Sequence, residues 1–331
     1  MIVVTGGAGF IGSAIIWRLN QLGRDDILVV DSLGSDEKWK NLVPLKFRDY
    51  VEREDFIRLV TEGKLVGKTA ENPDRVDAII HMGACSSTTE HDATFLVKNN
   101  FEYTKQLALF AVKEGSRFVY ASSAATYGDG SRGFVDDEEQ IDQLRPLNMY
   151  GYSKQMFDQW ALRHGLFNRI VGVKFFNVYG PNEYHKGDMS SVVLKAFEQI
   201  KSTGKMKLFK SYHENYGDGE QVRDFVYVKD AVEMTLFFLK QRNLAGLFNI
   251  GSGVANTWNN LAASIFKALG KAANIEYVDM PESIKDKYQY YTCAHMSKIR
   301  KAGYTSGVTP LSEAVSDYVT NYLVKGKRLG E

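Results

Sequence analysis

Two tyrosines and one lysine occur within the segment MYGYSK at 149–154. Asn148 precedes it as a candidate cap, and apolar side chains continue beyond it at helical spacing, which predicts a helix. In that helix Tyr150 and Lys154 lie four residues apart on one face, whereas Tyr152 points elsewhere and is expected to be a packing residue. Tyrosine is a poor base at neutral pH because its pKa is about 10, and a neighbouring ammonium group lowers that pKa. The pair is a candidate for removing a proton from an alcohol, although surface aromatics beside solvated lysines share this spacing.

A serine that can complete this pair follows an apolar run. The stretch YASSAATYG at 120–128 places Ser123 where the carboxyl end of a predicted strand meets a ligand. A hydroxyl group there can hydrogen-bond to a reacting alcohol or to the carbonyl formed from it, although helix-capping serines are also common. Ser123, Tyr150 and Lys154 together indicate hydride transfer to a nicotinamide, with Tyr150 handling the hydroxyl proton and Lys154 also holding the nicotinamide ribose.

A glycine-rich turn near the N-terminus predicts the cofactor site. In VTGGAGFIG at 4–12, Gly6, Gly9 and Gly12 follow a short apolar run and open a helical pattern. Glycines let the backbone turn tightly and approach a pyrophosphate, which then lies at the helix N-terminus. Asp31 ends the next predicted strand, where an acidic residue can hold the ribose hydroxyls. The combination predicts dinucleotide binding.

The choice between NAD and NADP stays open on these residues. Asp31 favours NAD because a carboxylate repels a 2′-phosphate, yet Lys38 and Arg53 follow closely enough to neutralise that phosphate. Both cations can equally be solvated surface groups.

Composition excludes several classes of protein. The chain of 331 residues has 41 basic and 40 acidic side chains, so no basic excess indicates nucleic acid or a membrane surface as a partner. Its two cysteines, Cys85 and Cys293, form neither a disulfide framework nor a spaced metal site, and we expect no metal. No apolar run reaches the ~18 residues of a membrane span and no signal peptide is evident, so we expect a cytoplasmic enzyme or binding protein.

Short apolar runs alternate with helical patterns along the first half of the chain. The runs that predict buried strands lie near Ile2 and at 27–30, 78–80, 117–121 and 170–175. This alternation predicts an α/β fold built on a Rossmann doubly wound parallel sheet.

The rhythm becomes less regular after about residue 176, where further strands are predicted at 224–228 and 247–251. We expect the dinucleotide-binding domain to comprise 1–176 plus about 216–243. A smaller mixed α/β substrate lobe would comprise about 177–215 plus 244–331.

Longer motifs carry a family resemblance. These are MIVVTGGAGFIGS, DILVVDSL, HMGACSSTTE, YASSAATYG, PLNMYGYSK, FFNVYGPNEYHKG and RDFVYVKD. The chain resembles the extended short-chain dehydrogenase/reductase family, also described as NAD-dependent epimerases and dehydratases, and within it the NADP-dependent 6-epimerases of ADP-activated heptoses. The resemblance implies an enzyme that oxidises C6″ of a lipopolysaccharide heptose precursor and returns hydride to the opposite face. It also implies a homo-oligomer with a nucleotide-sugar substrate.

The resemblance assigns roles to particular positions. For the cofactor these are Gly6, Gly9, Phe10, Ile11, Gly12, Asp31, Ser32, Lys38, Arg53, Met82, Gly83, Ala84, Cys85, Ser86, Asn99, Lys154, Val178 and Lys186. For the substrate they are Ser123, Asn177, Asp188, Lys195, Phe209, Lys210, Ser211, Arg223 and Tyr288. Arg223 suits a diphosphate because a planar guanidinium can bond two oxygens at once.

Inversion without net redox change requires proton-handling groups on both sides of the carbon. Tyr150 matches one such group of the family, and Lys186, in the HKG motif, matches the second. Without the resemblance, Lys186 would be an ordinary loop cation.

The chain departs from the family pattern at five positions, and at one of them, Arg53 in place of a usual lysine, the charge is preserved. Asn182 replaces a usual arginine, Met82 a usual Glu or Gln, and Asp188 and Lys195 replace a small polar residue and a histidine. These departures concern substrate contacts more than the redox residues.

Three other functions compete. A UDP-hexose 4-epimerase shares the Ser–Tyr–Lys set but not the second lysine. A nucleotide-sugar dehydratase carries an Asp-Glu pair where this chain has Ala124 and Ala125. A non-catalytic nucleotide-sensing regulator typically loses the Tyr–Lys pair.

Overall fold

A computed structural model describes residues 1–65, 75–285 and 288–331. The strands are β1 (Ile2–Thr5), β2 (Ile27–Asp31), β3 (Asp49–Glu52), β4 (Ala78–His81), β5 (Arg117–Ser123), β6 (Val171–Phe175), β7 (Asn177–Tyr179), β8 (Met206–Phe209), β9 (Val222–Tyr227), β10 (Gly246–Ile250), β11 (Ala255–Thr257) and β12 (Ile275–Val278).

The α-helices are α1 (Phe10–Gln21), α2 (Arg53–Thr61), α3 (Ala93–Leu96), α4 (Tyr103–Glu114), α5 (Met149–Arg163), α6 (Val192–Thr203), α7 (Val228–Lys240), α8 (Trp258–Ala268), α9 (Glu282–Lys285), α10 (Ser297–Lys301) and α11 (Leu311–Asp317). Short 3-10 helices cover Glu37–Asn41, Ala124–Tyr127, Glu138–Gln143, Leu166–Asn168 and Tyr184–Met189, and π-helical turns cover Val97–Glu102 and Tyr318–Leu323. Within the described ranges, no helix combines the length and apolarity needed to cross a membrane.

The strands with continuous apolar runs form one seven-stranded sheet in the order β10-β6-β5-β4-β1-β2-β3. All of its strand pairs are parallel. Every residue of β1, β4 and β6 is buried, as expected for parallel strands covered by helices on both faces. The predicted doubly wound α/β fold is confirmed, and the predicted strands match β1, β2, β4, β5 and β6.

The strand order reverses between β1 and β4, which makes a crevice at their carboxyl ends. The two strand ends are joined by a buried contact, because the imidazole of His81 lies 2.6 Å from the Thr5 hydroxyl and 2.8 Å from that of Thr104. Burial, assisted by the charge of Lys154, lowers the pKa of His81 to about 3, so this imidazole is neutral. A rigid neutral contact thus fixes the floor of the crevice.

Two smaller sheets stand beside the large one, with strand orders β11-β9-β7 and β12-β8. The strand pairings cross the expected domain boundaries, which stay a prediction. The segment expected to start the substrate lobe at 244 contains β10, which pairs with β6 in the large sheet. The segment 216–243, expected in the dinucleotide-binding domain, contains β9, which pairs with β7 and β11. Pairing between backbone segments that are distant in sequence decides which sheet each strand joins, and local sequence patterns do not show that pairing.

A buried ion pair joins the central strands to helix α5. The ammonium of Lys174 on β6 lies 2.8 Å from the carboxylate of Asp158 on α5, and both side chains are at most 1% exposed. That carboxylate also accepts hydrogen bonds from Tyr120 and Ser122 on β5, both at 2.7 Å. The ammonium of Lys174 also donates a hydrogen bond to the Thr126 hydroxyl at 2.6 Å. Two neighbouring strands and the helix that carries Tyr150 therefore share one polar contact.

We expect Lys174→Met to lower the free energy of unfolding by about 3–5 kcal/mol, because the substitution leaves the buried carboxylate of Asp158 without its cation. Urea unfolding of the purified protein measures this change. Lys113→Met, at an exposed position on α4, is the matched control and is expected to cost less than about 1 kcal/mol. Equal losses in the two variants would contradict the prediction.

Candidate active site

A cavity of about 660 Å³ opens at the carboxyl ends of the central strands. The predicted site residues that line it are Gly6, Gly9, Phe10, Ile11, Gly12, Asp31, Lys38, Met82, Gly83, Ala84, Cys85, Ser86, Ser123, Tyr150, Lys154, Asn177, Val178 and Lys186. The fold therefore brings the predicted catalytic residues and most of the predicted cofactor residues to one place.

The glycine turn forms the wall beneath helix α1. Gly6 has a φ of 65°, a conformation that side chains disfavour, and a Cβ there would meet the backbone of Gly83 at 2.6 Å. A Cβ on Gly12 would lie 2.0 Å from the carbonyl oxygen of Gly6. The first turn of α1 consequently packs directly against the loop, with its N–H groups directed at the crevice. A backbone cradle that any side chain would fill fits a dinucleotide pyrophosphate.

Asp31 is held by the turn as well as facing the cavity. Its carboxylate accepts hydrogen bonds from the backbone N–H groups of Ala8 at 2.9 Å and Ser32 at 2.8 Å. The ammonium of Lys38 lies 3.0 Å from the same carboxylate. Asp31 therefore faces the cavity with its negative charge already compensated.

Further predicted cofactor residues lie beside this wall. The guanidinium of Arg53, the first residue of α2, donates to the side-chain oxygen of Asn99. Neighbouring Asn100 bonds to both backbone groups of Cys85 at 2.9 Å and donates to Ser153 on α5 at 2.9 Å. Asn100 thus fixes the 82–86 loop against the catalytic helix.

The predicted catalytic trio is assembled by β5 and α5. Asn148 caps α5 by accepting from Gly151 N at 2.8 Å, as the sequence predicts. Ser123 ends β5 and hydrogen-bonds to the Tyr150 hydroxyl. It also caps the following 3-10 helix through Ala125 N at 3.1 Å, so its capping and active-site roles coexist.

The expected lowering of the Tyr150 pKa is wrong for this structure. Burial raises the pKa of Tyr150, and the hydrogen bond with Ser123 only partly offsets this effect. The ammonium of Lys154 instead donates to the carbonyl oxygen of Ala121 at 2.8 Å. Burial lowers the pKa of Lys154 to about 8, although the carboxylate of Asp158 opposes this change. Tyr150 is therefore protonated at neutral pH.

The other tyrosine of the segment also differs from its expectation. Tyr152 is 47% exposed, so it is a surface residue of α5 and not a packing residue. The spacing correctly separated its face from that of Tyr150, but it did not show that this face meets solvent.

Lys186 reaches the same cavity from the loop between β7 and α6. Its ammonium lies 5.4 Å from the centroid of the Phe10 ring, directly beside the glycine turn. Burial lowers the pKa of Lys186, and the negative charge of Glu183 acts in the opposite direction. A lysine with a lowered pKa can exchange a proton near neutral pH more readily than a solvated one.

A second group of predicted residues lies beyond the cavity wall. Arg223 is buried between two aromatic rings, with its guanidinium 5.6 Å from the ring of Trp258 and 5.2 Å from that of Tyr288. The rings of Phe209 and Tyr288 meet edge-on, with their centroids 6.4 Å apart. Trp258 lines the cavity and donates to the Tyr288 hydroxyl at 3.0 Å, so it connects this group to the site.

The remaining predicted substrate residues are more exposed. Lys195 donates to the backbone oxygen of Asp188 at 2.6 Å, which ties the HKG loop to α6. Lys210 pairs with Asp279 at 3.1 Å, and the backbone N–H of Ser211 donates to Asp218. The structure describes all four of these predicted residues, and the cavity lining does not include them: Asp188, Lys195, Lys210 and Ser211.

Asn182, one of the departures from the family pattern, has a structural role. It is fully buried with a positive φ of 80°. Its side chain donates to Ser13 at 2.9 Å and accepts from the backbone of Leu329 at 2.9 Å. It is thus fixed away from the cavity, whereas Met82, another departure, lines it.

Sequence reasoning missed several residues of the site, among them His185, Trp258 and Asn100. His185 and Trp258 line the cavity, and Asn100 positions the loop beneath it. The available signal was slight. His185 is adjacent to the predicted residue Lys186, and Asn100 is adjacent to the predicted residue Asn99. The sequence does not show which residue of each pair faces the cavity.

Residues 2–251 match the family described as the NAD dependent epimerase/dehydratase family, and the chain belongs to that family. The predicted family is thereby confirmed.

Similarity extends over the whole chain. An ADP-L-glycero-D-manno-heptose-6-epimerase of Nitratidesulfovibrio vulgaris is 53% identical over 98% of this chain and 98% of its own. The crystal structure of the Helicobacter pylori enzyme of that name has a TM-score of 0.80 at 26% identity, covering 97% of this chain and 95% of its own. A UDP-glucose 4-epimerase of Thermotoga maritima, solved with UDP-glucose, has a TM-score of 0.77 at 26% identity, covering 98% and 99%. The shared fold is thus compatible with both substrates, and the sequence identity favours the heptose enzymes.

The lowered pKa of Lys154 predicts a pH-dependent contribution to stability. Because the folded-state pKa is about 8 and the ordinary value is 10.5, the unfolded chain binds more protons between these values. The free energy of unfolding therefore gains a contribution as the pH rises through this range, by at most about 3 kcal/mol.

Denaturant unfolding at a series of pH values checks this prediction. Relative to Lys154→Met, the wild-type protein should become more stable between about pH 8 and pH 10.5. The exposed-site variant Lys113→Met should follow the wild-type trend. A constant difference between the wild-type protein and Lys154→Met would be inconsistent with a buried ammonium.

Proposed function

We propose that this chain is an epimerase that converts ADP-D-glycero-D-manno-heptose into ADP-L-glycero-D-manno-heptose, a precursor of the lipopolysaccharide inner core. The observation that carries the proposal is that Tyr150 and Lys186, two groups able to move a proton, line one cavity beside a dinucleotide cradle. The 53% identity over 98% of the chain to the Nitratidesulfovibrio enzyme supports the choice of substrate.

The residues of the cavity carry out the proton transfers of the proposed reaction. The nicotinamide, when bound, supplies the hydride acceptor and donor. Tyr150, hydrogen-bonded to Ser123, handles the hydroxyl proton at C6″ in one orientation of the sugar. Lys186 handles it in the other, so the ketone formed on either path can be protonated as it is reduced. Lys154, which lines the cavity, would hold the nicotinamide ribose.

The substrate's diphosphate has a candidate site at Arg223. Its guanidinium lies 5.6 Å from the centroid of the Trp258 ring and 5.2 Å from that of the Tyr288 ring. A planar fork in this position can bond two phosphate oxygens at once. The neighbouring edge-on pair Phe209–Tyr288 supplies an apolar surface for the attached nucleoside.

The proposed cofactor is NADP. Asp31 would repel a 2′-phosphate if its charge were free, but the Lys38 ammonium and two backbone N–H groups already bond to it. Arg53 supplies a second cation beside Asn99. These groups favour the extra phosphate, whereas an uncompensated Asp31 would favour NAD.

Replacement of Lys38 by alanine tests this choice. We expect Lys38→Ala to weaken NADP binding roughly 10–100-fold, the value of a hydrogen bond to a charged group, while NAD binding changes little or improves. Titration of the cofactor-stripped protein with each dinucleotide measures the effect. Lys40→Ala is the control, because Lys40 lies in the same 3-10 helix and pairs with Glu37 at 2.6 Å. Equal weakening of both cofactors would argue against a contact with the 2′-phosphate.

Paired variants test the mechanism. Tyr150→Phe and Lys186→Met should each retain bound cofactor and lose at least about 100-fold in epimerisation, because each removes one general acid–base group. In single turnovers each variant should still oxidise one heptose epimer and fail with the other, with the preferences reversed between the two variants. Absorbance of the reduced nicotinamide reports each half-reaction.

Tyr152→Phe and Lys201→Met are the controls, since both residues lie on solvent-facing helix surfaces. Near-normal turnover of Lys186→Met would refute the two-group mechanism.

NMR of the products from ADP-D-glycero-D-manno-heptose and from UDP-glucose, in separate incubations, tests the identity of the substrate. Inversion of UDP-glucose at C4 without reaction of the heptose would replace this proposal with the 4-epimerase.

A further inference from the structure

Glu183 is a fully buried carboxylate in the loop that carries Lys186. One of its oxygens accepts hydrogen bonds from the backbone N–H of Gly180 at 3.2 Å and from the Ser191 hydroxyl at 2.7 Å. The other accepts from the backbone N–H of Ser191. Gly180 follows β7 and Ser191 caps α6, so a single side chain joins the two ends of the loop.

The start of the loop is fixed to the rest of the protein by Asn182, the residue before Glu183. The backbone oxygen of Asn182 accepts from the side chain of Asn41 at 3.0 Å, and its side chain bonds to Ser13 in α1. Since α1 also carries Phe10, these contacts set the distance between the loop and the ring beneath the Lys186 ammonium. The loop is therefore clamped at its ends and anchored beside the cofactor cradle.

Glu183 also acts on Lys186 through its charge. The two residues share one turn, because the backbone N–H of Lys186 donates to the carbonyl oxygen of Glu183 at 3.0 Å. The carboxylate raises the pKa of Lys186 against the effect of burial, and the ammonium lowers that of Glu183 in return. The other titratable groups around the pair are His185, Tyr184 and Tyr318, none of which carries a negative charge at neutral pH.

We propose that Glu183 is a positioning residue for Lys186: its carboxylate closes the loop and holds the ammonium over Phe10, in the cavity that Tyr150 also lines. The proposal rests on the proposed function for its catalytic consequence, and on the loop contacts alone for its structural consequence. Glu183 has no part in the cavity lining among the described residues, so it acts through Lys186 and not on the substrate.

Glu183→Gln is the decisive variant because it keeps the size of the side chain, removes the charge and cannot accept all three hydrogen bonds. We expect kcat to fall roughly 10–100-fold with little change in KM, as expected when a proton-transfer group is misplaced by about 1 Å. The loss should fall on the half-reaction that Lys186→Met abolishes and spare the one that Tyr150→Phe abolishes. The pH profile of that half-reaction should also shift to lower pH, because removal of the carboxylate lowers the pKa of Lys186, and an unshifted profile would argue against Lys186 as the affected group.

Amide hydrogen exchange across 184–190 supplies a readout that needs no substrate. Exchange should accelerate in Glu183→Gln and stay at the wild-type rate in Glu198→Gln, an exposed control on α6. Ser191→Ala removes one of the three hydrogen bonds and should give the same pattern in weaker form, which keeps the test available if Glu183→Gln does not fold.

The outcomes separate the two proposals. A selective loss in the Lys186 half-reaction, with faster exchange, supports the positioning role. Equal losses in both half-reactions, or unchanged turnover, overturn it. If the wild-type protein does not interconvert the ADP-heptoses, the proposed function fails. The exchange rates then decide the loop clamp alone, and unchanged exchange in both variants overturns it.

Discussion

The polar contact centred on Asp158 is the constraint on which the redox half of the site depends. This buried carboxylate accepts from Tyr120 and Ser122 of β5 and pairs with Lys174 of β6, although it belongs to α5. The same strand ends at Ser123, and the same helix carries Tyr150 one turn before Lys154. Any shift of α5 along the sheet would break three charge-assisted contacts in a dry interior, where an unpaired charge is costly. The register between Ser123 and Tyr150 is thus fixed by contacts beneath the cavity.

The two halves of the site solve one physical problem in the same way. Burial in a pocket lowers the pKa of a lysine, because burial disfavours the charged form. Lys154 has Asp158 one helical turn later, and Lys186 has Glu183 one turn earlier. In both cases a buried carboxylate opposes the effect of burial on the lysine pKa. Each carboxylate is itself held by hydrogen bonds from neighbouring elements, which keeps it from becoming an unsatisfied charge.

Local features of the site were predictable because they depend on spacing within one element. The glycine turn, the Asn148 cap and the shared face of Tyr150 and Lys154 follow from helix and strand geometry. Asn182 shows where that reasoning ends, since its partners Asn41 and Leu329 lie 141 and 147 positions away. The sequence marks it only as a departure from a family pattern, which suggested altered substrate contact. The pKa of Tyr150 was likewise out of reach, because burial and the Ala121 carbonyl that receives Lys154 are products of the assembled fold. The membership of β9 and β10 in their sheets has the same origin.

The loop from β7 to α6 carries Lys186, the second proton-handling group of the proposed function. Structures of a heptose 6-epimerase and a UDP-glucose 4-epimerase resemble this chain almost equally, with TM-scores of 0.80 and 0.77. The sheet, the cradle and the Ser–Tyr–Lys set are therefore compatible with either reaction. Inverting a carbon in the flexible side arm of a heptose differs from inverting a ring carbon. In the proposed function a second proton-handling group replaces the proton transfer that a single tyrosine would otherwise have to make in both orientations of the arm. A loop whose two ends are joined by Glu183 can hold that group, Lys186, beside the cradle. The proposed second group thus belongs to a loop, whereas Ser123 ends a strand of the large sheet and Tyr150 lies on α5.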